Sequence, residues 1–533
     1  MISVIKRGNT VHFYSKYELR HVLKDYGLTW STDTKTWCGI FDEGIIKVIN
    51  DLQSKYPLKI SDALKQEIDA FLMQLKEPLN FEIQTTRPSY KHQLESLRFA
   101  LSHKRAGIFN EMGTGKTKIA IDFIELLFKH GKIKTCLVIC PKSLIEKWYM
   151  EFEKFSNLSS RIGRDIFITN YDVFSHFYYK ETLREKFGLD LDSRKIDCLI
   201  LDEATFVKNL QAQRTRNIYQ ISGGIIYKLL LTGTPMTQDF TDIFALFLIL
   251  DGGAQFGLHF KKFAETYGES YEIAPRHSTI VITKYKLKKS RERELMNKIY
   301  EKSIAFSKKD CLDLPDKIYD EIVVEPSDAQ YEYYERCLNE DFLKIDEMTN
   351  IEIKMKLSKL HQITSGFIYR EDRVPIYFDQ IPKLDALEEL LSVNSHGRVL
   401  IWHYFRAEQK LLKELCEKLD RKVFILDDTV ANRNEVCQRF NRSPDGIMVA
   451  AIGVAKFGME IFADLVVYYS NSFSVESRIH SEDRSHRLGT LSKVEYVDLT
   501  NKRMLDSKLV KFLKNRIDFL DYFYQNRKID LLR

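Results

Sequence analysis

The sequence predicts an α/β protein with two lobes, each built around a parallel β-sheet, together with a helical insert between the lobes and a small N-terminal α+β domain. The chain has 533 residues, more than one hydrophobic core usually serves. Short apolar runs alternate with helical patterns in two separate stretches. The start of the chain and a charged segment between the stretches lack this alternation, so we expect them to fold differently.

The N-terminal domain is predicted for residues 1–75. It contains an alternating apolar pattern typical of a strand at 10–14 and a helical pattern at 17–26. Trp30 and Trp37 flank a polar turn that follows. From the residues alone, the two tryptophans fit either the core of a small packed domain or a recognition surface.

The first lobe is predicted for residues 80–275. Its apolar runs are short, are bounded by polar or turn residues, and fit strands buried on both faces of a parallel sheet. The predicted strands are 107–109, 135–140, 165–169, 196–201 and 228–231.

The second lobe is predicted for residues 381–505, followed by a helical tail at 506–533. Its predicted strands are 398–402, 422–426, 446–450, 464–468 and 493–499. Between the lobes, residues 276–380 are charged and have a helical pattern. Their basic cluster fits a solvated helix face or a track for phosphates, and comprises Lys284, Lys286, Lys288, Lys289, Arg291 and Arg293.

Composition excludes several classes of protein. Hydrophobic residues make up 44% and charged residues 29%, which argues against a disordered chain. The net charge of +6 is too small to indicate a nucleic-acid partner without local clustering. Eight cysteines are scattered with no CxxC pair, so we expect neither disulfides nor zinc. No apolar run approaches the roughly 18–20 residues of a membrane span, so no membrane partner is expected.

The start of the chain also lacks an apolar signal segment. We therefore expect an intracellular, soluble protein in the cytoplasm of a prokaryotic host or of viral origin, with a nuclear location left open. Oligomeric state and protein partners are not indicated by the sequence.

A phosphate-binding loop is the strongest local motif. The loop has a strand before it and a helix after it, which is the context that this motif requires. Glycines permit a tight turn whose N–H groups surround phosphates, Lys116 reaches the β- and γ-phosphates, and Thr117 is a magnesium ligand. Asn110 stands where the strict pattern has another glycine. The loop residues are Met112, Gly113, Thr114, Gly115, Lys116 and Thr117.

An acidic pair follows the predicted strand 196–201 directly. Asp202 and Glu203 then lie at the carboxyl end of a buried strand, where open α/β sheets bind ligands. With a phosphate loop upstream, Asp202 is predicted to hold Mg²⁺ and Glu203 to polarise the attacking water.

Phosphoryl transfer also requires positive charge near the γ-phosphate as its bond breaks. Arg484 and Arg487 in the second lobe are the candidates. Their spacing of three predicts one helix face, with Gly489 near the helix end. Taken alone, such a segment is more often a solvated basic helix, and its place in a second α/β lobe favours the catalytic role.

The ordered motifs resemble those of the Swi/Snf-like ATPases of helicase superfamily two, from about residue 87 to residue 499. Residues 90–93 resemble the adenine-reading motif, which implies that Gln93 binds the nucleotide. Further motifs match in family order, with the arginine segment resembling the arginine-finger motif. They are Cys140-Pro141-Lys142-Ser143-Leu144 with Trp148, Thr169-Asn170-Tyr171, and Leu231-Thr232-Gly233-Thr234-Pro235.

This resemblance implies two RecA-like lobes, ATP and Mg²⁺ as cofactors, and DNA as partner. The N-terminal domain is similar to the HARP-type module of annealing helicases, with Trp30 and Trp37 in the spacing of that module. We therefore expect a translocase stimulated by duplex or forked DNA, single-stranded DNA being a further candidate, that anneals or branch-migrates forks. The alternatives are an RNA-directed or protein-displacing remodeller and a non-catalytic nucleic-acid scaffold.

Overall fold

The computed structural model divides the chain into two compact units, which are Met1–Glu272 with Thr283–Cys311 and Ile273–Ile282 with Leu312–Arg533. In the described part of the chain, no helix is both long and apolar enough to cross a membrane. The structure describes residues 2–79, 82–191, 194–233, 235–236, 239–273, 282–311, 317–342, 345, 348–393, 397–457, 459–486, 493–516, 519–520, 522 and 532.

The first unit begins with a five-stranded sheet in the order β3-β4-β2-β1-β5. Its strands are β1 Ile2–Arg7, β2 Thr10–Tyr14, β3 Thr29–Ser31, β4 Thr36–Ile40 and β5 Leu58–Ile60. Its helices are α1 Arg20–Asp25, α2 Glu43–Lys55 and α3 Asp62–Lys76. In β1, Ile2 and Val4 are fully buried and the residues after each are not, which is the period expected for a strand with one face on a core.

The second part of this unit is a six-stranded parallel sheet in the order β13-β6-β10-β9-β7-β8. Its strands are β6 Arg105–Ile108, β7 Cys136–Cys140, β8 Ile166–Asn170, β9 Cys198–Asp202, β10 Tyr227–Leu231 and β13 Ser303–Ile304. A separate ribbon pairs β11 Gly268–Ile273 with β12 Ile282–Leu287. The helices are α4 Lys91–His103, α5 Lys116–Lys129, α6 Ile145–Phe155, α7 Tyr179–Phe187, α8 Gln213–Ser222, α9 Asp242–Asp251, α10 Phe260–Tyr267, α11 Lys289–Glu301 and α12 Lys308–Cys311.

Both faces of this sheet are covered. Along β7, Cys136, Val138 and Cys140 belong to one hydrophobic cluster, whereas Leu137 and Ile139 belong to another. Burial on both sides explains why the strand sequence is continuously apolar rather than alternating.

The second unit contains another six-stranded parallel sheet, in the order β14-β21-β20-β17-β19-β18. A two-stranded antiparallel ribbon joins β15 to β16. The strands are β14 Lys317–Val324, β15 Phe367–Tyr369, β16 Pro375–Tyr377, β17 Val399–His403, β18 Val423–Leu426, β19 Ile447–Ala451, β20 Leu465–Tyr468 and β21 Val494–Asn501. The helices are α13 Asp328–Asp341, α14 Asn350–Thr364, α15 Pro382–Val393, α16 Arg406–Glu417, α17 Arg433–Arg442, α18 Val475–Ser485 and α19 Leu505–Lys514.

The predicted fold class is confirmed: two α/β lobes with parallel sheets follow a small sheet-containing domain. The helical prediction for residues 276–380 is incomplete, because β13 adds to the first sheet and β14 to the second. The basic cluster is also only partly helical. Lys284 and Lys286 are exposed on β12 while Tyr285 and Leu287 are half-buried, a period of two that identifies a strand. The domain boundaries stay predictions.

A buried ion-pair cluster joins the N-terminal domain to the first lobe. Asp42, which caps α2, contacts Arg105 at the start of β6 and Lys228 on β10, with the Lys228 Nζ to Asp42 Oδ2 distance 2.8 Å. All three side chains are at most 2% exposed. A Cβ added to Gly44 would lie 1.9 Å from the carbonyl oxygen of Gly252, so the two backbones touch. We call these three charged residues the Asp42 cluster.

Candidate active site

The predicted phosphate-binding loop connects the end of β6 to the start of α5. Gly113 and Gly115 have φ angles of 80° and 86°, in the left-handed region that glycine adopts without steric cost. Gly115 directly precedes α5, so it turns the chain into the helix. The predicted ligand-binding residues follow one another along this turn: Met112, Gly113, Thr114, Gly115, Lys116 and Thr117.

Lys116 points back into the loop. Its side chain is buried, and Nζ donates hydrogen bonds to the carbonyl oxygens of Asn110 at 2.9 Å and Glu111 at 3.3 Å. A buried ammonium is costly unless it is hydrogen-bonded, so these carbonyls stabilise it there. A phosphate in the loop would offer Lys116 charged acceptors, which bind an ammonium more strongly than carbonyls do.

Gln93 lies directly behind the loop. Its Nε2 donates to the Thr114 carbonyl oxygen at 3.1 Å, and its Oε1 accepts from the Tyr90 amide at 3.1 Å. A Cβ added to Gly115 would lie 2.3 Å from the Gln93 amide nitrogen, so only glycine allows this approach. The structure thus brings the predicted nucleotide-reading residue into contact with the loop.

His92 also supports the loop, and the sequence reasoning missed it. Its Nε2 lies 2.8 Å from the Thr114 carbonyl oxygen, and its ring stacks on Tyr90 at 5.9 Å. The ring is 4% exposed. The feature of the sequence that indicates this role is the place of His92 beside Gln93 in the first turn of a helix.

Asn110 replaces the expected glycine and has its own structural role. Its Nδ2 donates to Ser96 Oγ at 3.0 Å, and its Oδ1 accepts from the Phe306 amide at 3.2 Å. The Glu111 amide donates to the Phe306 carbonyl oxygen at 2.9 Å. These bonds tie the loop to α4 and to the segment after β13, which sequence spacing did not predict.

Asp202 ends β9 and is 5% exposed. The Trp148 indole donates to Asp202 Oδ2 at 2.9 Å, and the Glu203 amide donates to Oδ1 at 3.0 Å. Burial raises the pKa of Asp202 above its ordinary value, although the Trp148 bond and the Lys116 charge oppose this. Tyr171 donates to the Asp202 carbonyl oxygen at 2.7 Å. Two sequence motifs therefore meet at Asp202, because Trp148 contacts its carboxylate and Tyr171 its backbone.

Glu203 has an unusual backbone. Its φ and ψ are 49° and 56°, in the left-handed region that non-glycine residues rarely adopt. Such a conformation costs on the order of 1 kcal/mol or more, and residues that keep it are often at functional sites. It turns the chain out of β9 directly after Asp202.

β10 leads into the motif Leu231-Thr232-Gly233-Thr234-Pro235, and it pairs with β6, the strand that precedes the phosphate-binding loop. The Thr232 amide donates to the Ile108 carbonyl oxygen at 3.3 Å, where β10 and β6 both end. Thr234 of the same motif lies outside the described residues.

Arg484 lies in the last turn of α18, in the second unit. It is 3% exposed, and its guanidinium donates to the carbonyl oxygens of His480 at 3.1 Å and Met459 at 3.3 Å. α18 ends at Ser485 and has a hydrogen-bonded cap at His486. The helix face predicted to be shared by Arg484 and Arg487 stays a prediction. Arg487 and Gly489 lie outside the described residues.

An ion-pair network holds α18 against the second sheet. Arg478 donates to both carboxylate oxygens of Asp498, with Nη2 to Oδ2 at 3.0 Å, and to Glu482 Oε1 at 2.8 Å. Its guanidinium lies 3.6 Å from the centre of the Tyr468 ring. Burial would raise the pKa of Glu482, but Arg478 and Lys317 outweigh it and lower the pKa to about 2.

Within the described residues, no group of three or more His, Cys, Asp and Glu side chains could hold a metal ion by itself. Thr117 is half-buried at the second position of α5, and Asp202 is the other residue predicted to bind the cation. This donor set fits a magnesium ion that takes its other ligands from nucleotide phosphates and water.

Comparisons with known families match both lobes. The model described as the SNF2-related domain matches residues 92–371, more than half of the chain, and the helicase conserved C-terminal domain matches residues 382–489. The family resemblance inferred from the motifs is therefore confirmed. The matched ranges begin after the N-terminal domain, so the HARP resemblance stays a prediction.

Several curated relatives are similar over most of this chain. "ATP-dependent helicase FUN30" of Saccharomyces cerevisiae is 24% identical over 515 residues, covering 79% of this chain and 45% of that protein. "CHD3-type chromatin-remodeling factor CHR7" of Arabidopsis thaliana is 25% identical over 476 residues, covering 80% of this chain and 37% of that protein. The chain thus spans less than half the length of these two relatives.

Among solved structures, the Sulfolobus solfataricus SWI2/SNF2 ATPase core in complex with dsDNA is similar to this chain. It is 20% identical, covers 82% of this chain and 93% of its own, and has a TM-score of 0.38.

Proposed function

This chain belongs to the SNF2 family of ATP-hydrolysing enzymes, and on that premise we propose that it is a DNA-stimulated ATPase that moves along DNA. The observation that carries the proposal is that two buried charged groups lie at the carboxyl edge of one parallel sheet: Lys116 in the loop that follows β6, and Asp202 at the end of β9. ATP is the nucleotide that this family uses. The finer function is reannealing or branch migration at forks.

In this proposal the loop binds the ATP phosphates. Backbone N–H groups at the start of α5 and the Lys116 ammonium neutralise the β- and γ-phosphates. Gln93 and His92 hold the Thr114 carbonyl and so keep the loop open for the phosphates. Thr117 and Asp202 would hold Mg²⁺, which supplies positive charge to the phosphate oxygens when it is bound.

Glu203 polarises the water that attacks the γ-phosphate. Its left-handed backbone lets it follow Asp202 without continuing the strand, so the two carboxylates serve different ligands. Arg484 and Arg487 are proposed to stabilise charge on the γ-phosphate in the transition state. For Arg484 this role requires its guanidinium to leave the two backbone carbonyls that it now contacts.

The N-terminal domain is proposed to recognise forked DNA. Trp30 is 51% exposed and packs edge-on against Trp37 at 5.6 Å, so only one of the two tryptophans is available as a stacking surface. Tyr17 is 75% exposed, and the Arg20 guanidinium lies 3.9 Å from its ring centre. Exposed aromatic rings next to cations are suited to unpaired bases beside phosphates.

The test is ATP turnover by the full chain with no nucleic acid, single-stranded DNA, duplex DNA, forked DNA and RNA. We expect duplex or forked DNA to stimulate most, and Lys116→Ala or Glu203→Gln to lower turnover at least about a hundredfold, because each removes a group from phosphoryl transfer. Lys129→Ala, exposed on α5, is the matched control.

Three results would redirect the proposal. Stimulation by RNA alone would favour an RNA remodeller. Turnover accompanied by displacement of proteins bound to DNA, with no annealing of strands, would favour the remodelling activity that the name of one relative describes. No turnover on any nucleic acid would favour the non-catalytic scaffold.

Fork preference is tested by Trp30→Ala, with Tyr300→Ala as a matched exposed aromatic in the same unit. We expect Trp30→Ala to reduce the ratio of fork-stimulated to duplex-stimulated turnover. Deletion of residues 1–75 is a poor test, because it would also remove Asp42 from two buried cations of the first lobe.

A further inference from the structure

The N-terminal domain and the first lobe enclose a cleft of about 780 Å³. It is lined by the turn between β1 and β2, one face of α3, and the segments that enter α7, β9 and β10. These segments enter β9 and β10 at their amino ends, whereas the phosphate loop follows the carboxyl end of β6. The cleft is therefore separate from the proposed ATP site.

Both walls of the cleft are fixed in place. At the β1–β2 turn, the Asn9 carbonyl oxygen accepts from the Phe41 amide at 2.8 Å, and Asn9 Nδ2 donates to the Gln220 carbonyl oxygen at 3.4 Å. The Asp42 cluster joins the same two bodies below. A cleft formed by two docked elements is preorganised, so a ligand does not have to assemble it.

The lining of the cleft is strongly cationic. Its described residues include five cations and one carboxylate, Glu67, which pairs with Lys6. Arg194 donates to the Arg164 carbonyl oxygen and lies 5.5 Å from the Phe167 ring centre. The remaining three cations come from three different elements: Arg7, Lys180 and Lys195. A cleft lined by charges of one sign concentrates ligands of the opposite sign, so this cleft favours an anion.

Two exposed aromatic residues come directly before a lining residue of the cleft in the chain. Phe177 is 85% exposed and Tyr178 is 59% exposed, and they directly precede Tyr179, which lines the cleft. The backbone of this turn is held by Asn217, whose Nδ2 donates to the carbonyl oxygens of Phe174 at 2.9 Å and His176 at 3.0 Å. The Tyr178 ring stacks on His176 with the ring centres 5.0 Å apart, so one of its faces is covered. The turn therefore presents the Phe177 ring and the other face of Tyr178 from a fixed backbone.

We propose that this cleft binds a single strand of DNA. Arg7, Lys180 and Lys195 contact its phosphates, and Phe177 and Tyr178 stack on its bases, the combination used by single-strand binding grooves. A cavity of this volume holds a ligand the size of a small molecule, so one or two nucleotides fit and a duplex does not. The inference rests on the proposed function in taking DNA as the partner, and it gives that DNA a second contact away from the ATP site.

The first test measures the affinity of the full chain for single-stranded DNA over a range of salt concentrations, without ATP. Arg7→Ala, Lys180→Ala and Lys195→Ala are combined in one variant. Because each phosphate contact on a single strand contributes about 0.7 to the slope of log K against log salt, we expect the slope to shrink by about 2 and the affinity to fall at least about tenfold.

The matched control combines Lys76→Ala, Lys129→Ala and Lys186→Ala, which removes the same charge from exposed positions that do not line the cleft. We expect it to keep nearly the wild-type slope. Equal salt slopes for the cleft variant and the control variant would overturn the proposal. The proposal would also be overturned if the cleft variant lost affinity for free nucleotide but kept its affinity for single-stranded DNA.

The second test separates stacking from charge. Phe177→Ala with Tyr178→Ala should weaken single-stranded DNA binding about fivefold or more without changing the salt slope, because stacking contributes affinity but releases no counterions. Tyr300→Ala is the control, and no change in affinity on Phe177→Ala with Tyr178→Ala would overturn the stacking assignment.

Failure of this inference and failure of the proposed function give different results. If duplex DNA still stimulates ATP turnover while both cleft variants bind single-stranded DNA like wild type, this inference fails and the proposed function stands. If wild type shows no DNA-stimulated turnover, the proposed function fails by itself.

Discussion

Two buried aspartates lie at opposite ends of the first lobe's sheet. At the amino end, Asp42 forms ion pairs with Arg105 and Lys228. At the carboxyl end, Asp202 accepts a hydrogen bond from the Trp148 indole, and the charge of Lys116 acts on it electrostatically. Burial would raise the pKa of Asp42, but Arg105 and Lys228 outweigh it and the pKa is lowered. The pKa of Asp202 is raised instead. Two buried carboxylates can thus differ in role. Asp42 stays ionised because two cations balance its charge, whereas Asp202 lacks such a balance and can bind a cation.

The comparison predicts different costs for the same substitution at the two ends. Asp42→Asn should lower the free energy of unfolding by about 3–5 kcal/mol, because it leaves Arg105 and Lys228 buried with an unmatched charge. Denaturant unfolding measures this. Asp62→Asn, on exposed α3, is the control and should change stability by less than about 0.5 kcal/mol. A small effect at Asp42 would mean that the cluster is not what joins the N-terminal domain to the lobe.

Asp202→Asn should lower activity rather than stability. We expect ATP turnover to fall about a hundredfold or more, because the cation-binding carboxylate is lost. Stability should change by less than about 1 kcal/mol, since asparagine can still accept the Trp148 bond and burial already disfavours the charge. Turnover and denaturant unfolding are measured on one preparation. A stability loss as large as that of Asp42→Asn would contradict the distinction.

The second unit offers a pH test of the same distinction, because neighbouring cations balance the charge of Glu482 as they do that of Asp42. Its pKa is lowered from 4.5 to about 2, so its contribution to stability is present above pH 4.5 and is lost as pH falls toward 2. Glu482→Gln should cost about 2–3 kcal/mol at pH 7, and the difference from wild type should shrink across that window. Glu389→Gln, exposed on α15, should show no such pH dependence.

The fold was predictable where burial leaves a signal in neighbouring residues. Strands covered on both faces are continuously apolar, so β7, β9 and β17 were found within one or two residues of their ends. β12 was missed because its alternation is dominated by lysines. The loop and the acidic pair were predictable because each is contiguous in the chain.

The rest of the site depends on contacts between distant residues. His92 and Gln93 reach Thr114 across a gap of about 20 residues, and Asn110 reaches Phe306 across 196. The left-handed backbone of Glu203 has no sequence signal, because glutamate rarely adopts it. The Asp42 cluster could not be predicted either, because its three residues are far apart in the chain. A lone aspartate before a helix indicates only a helix cap.

The Asp42 cluster also sets an order of events during synthesis. Asp42 and Lys228 are 186 residues apart. At roughly 5–20 residues per second, the ribosome takes about ten to forty seconds to deliver Lys228 after Asp42. Since β10 lies between β6 and β9, the middle of the first sheet stays open during that interval. The domain made first is then the surface on which the last of the sheet's central strands is locked into place.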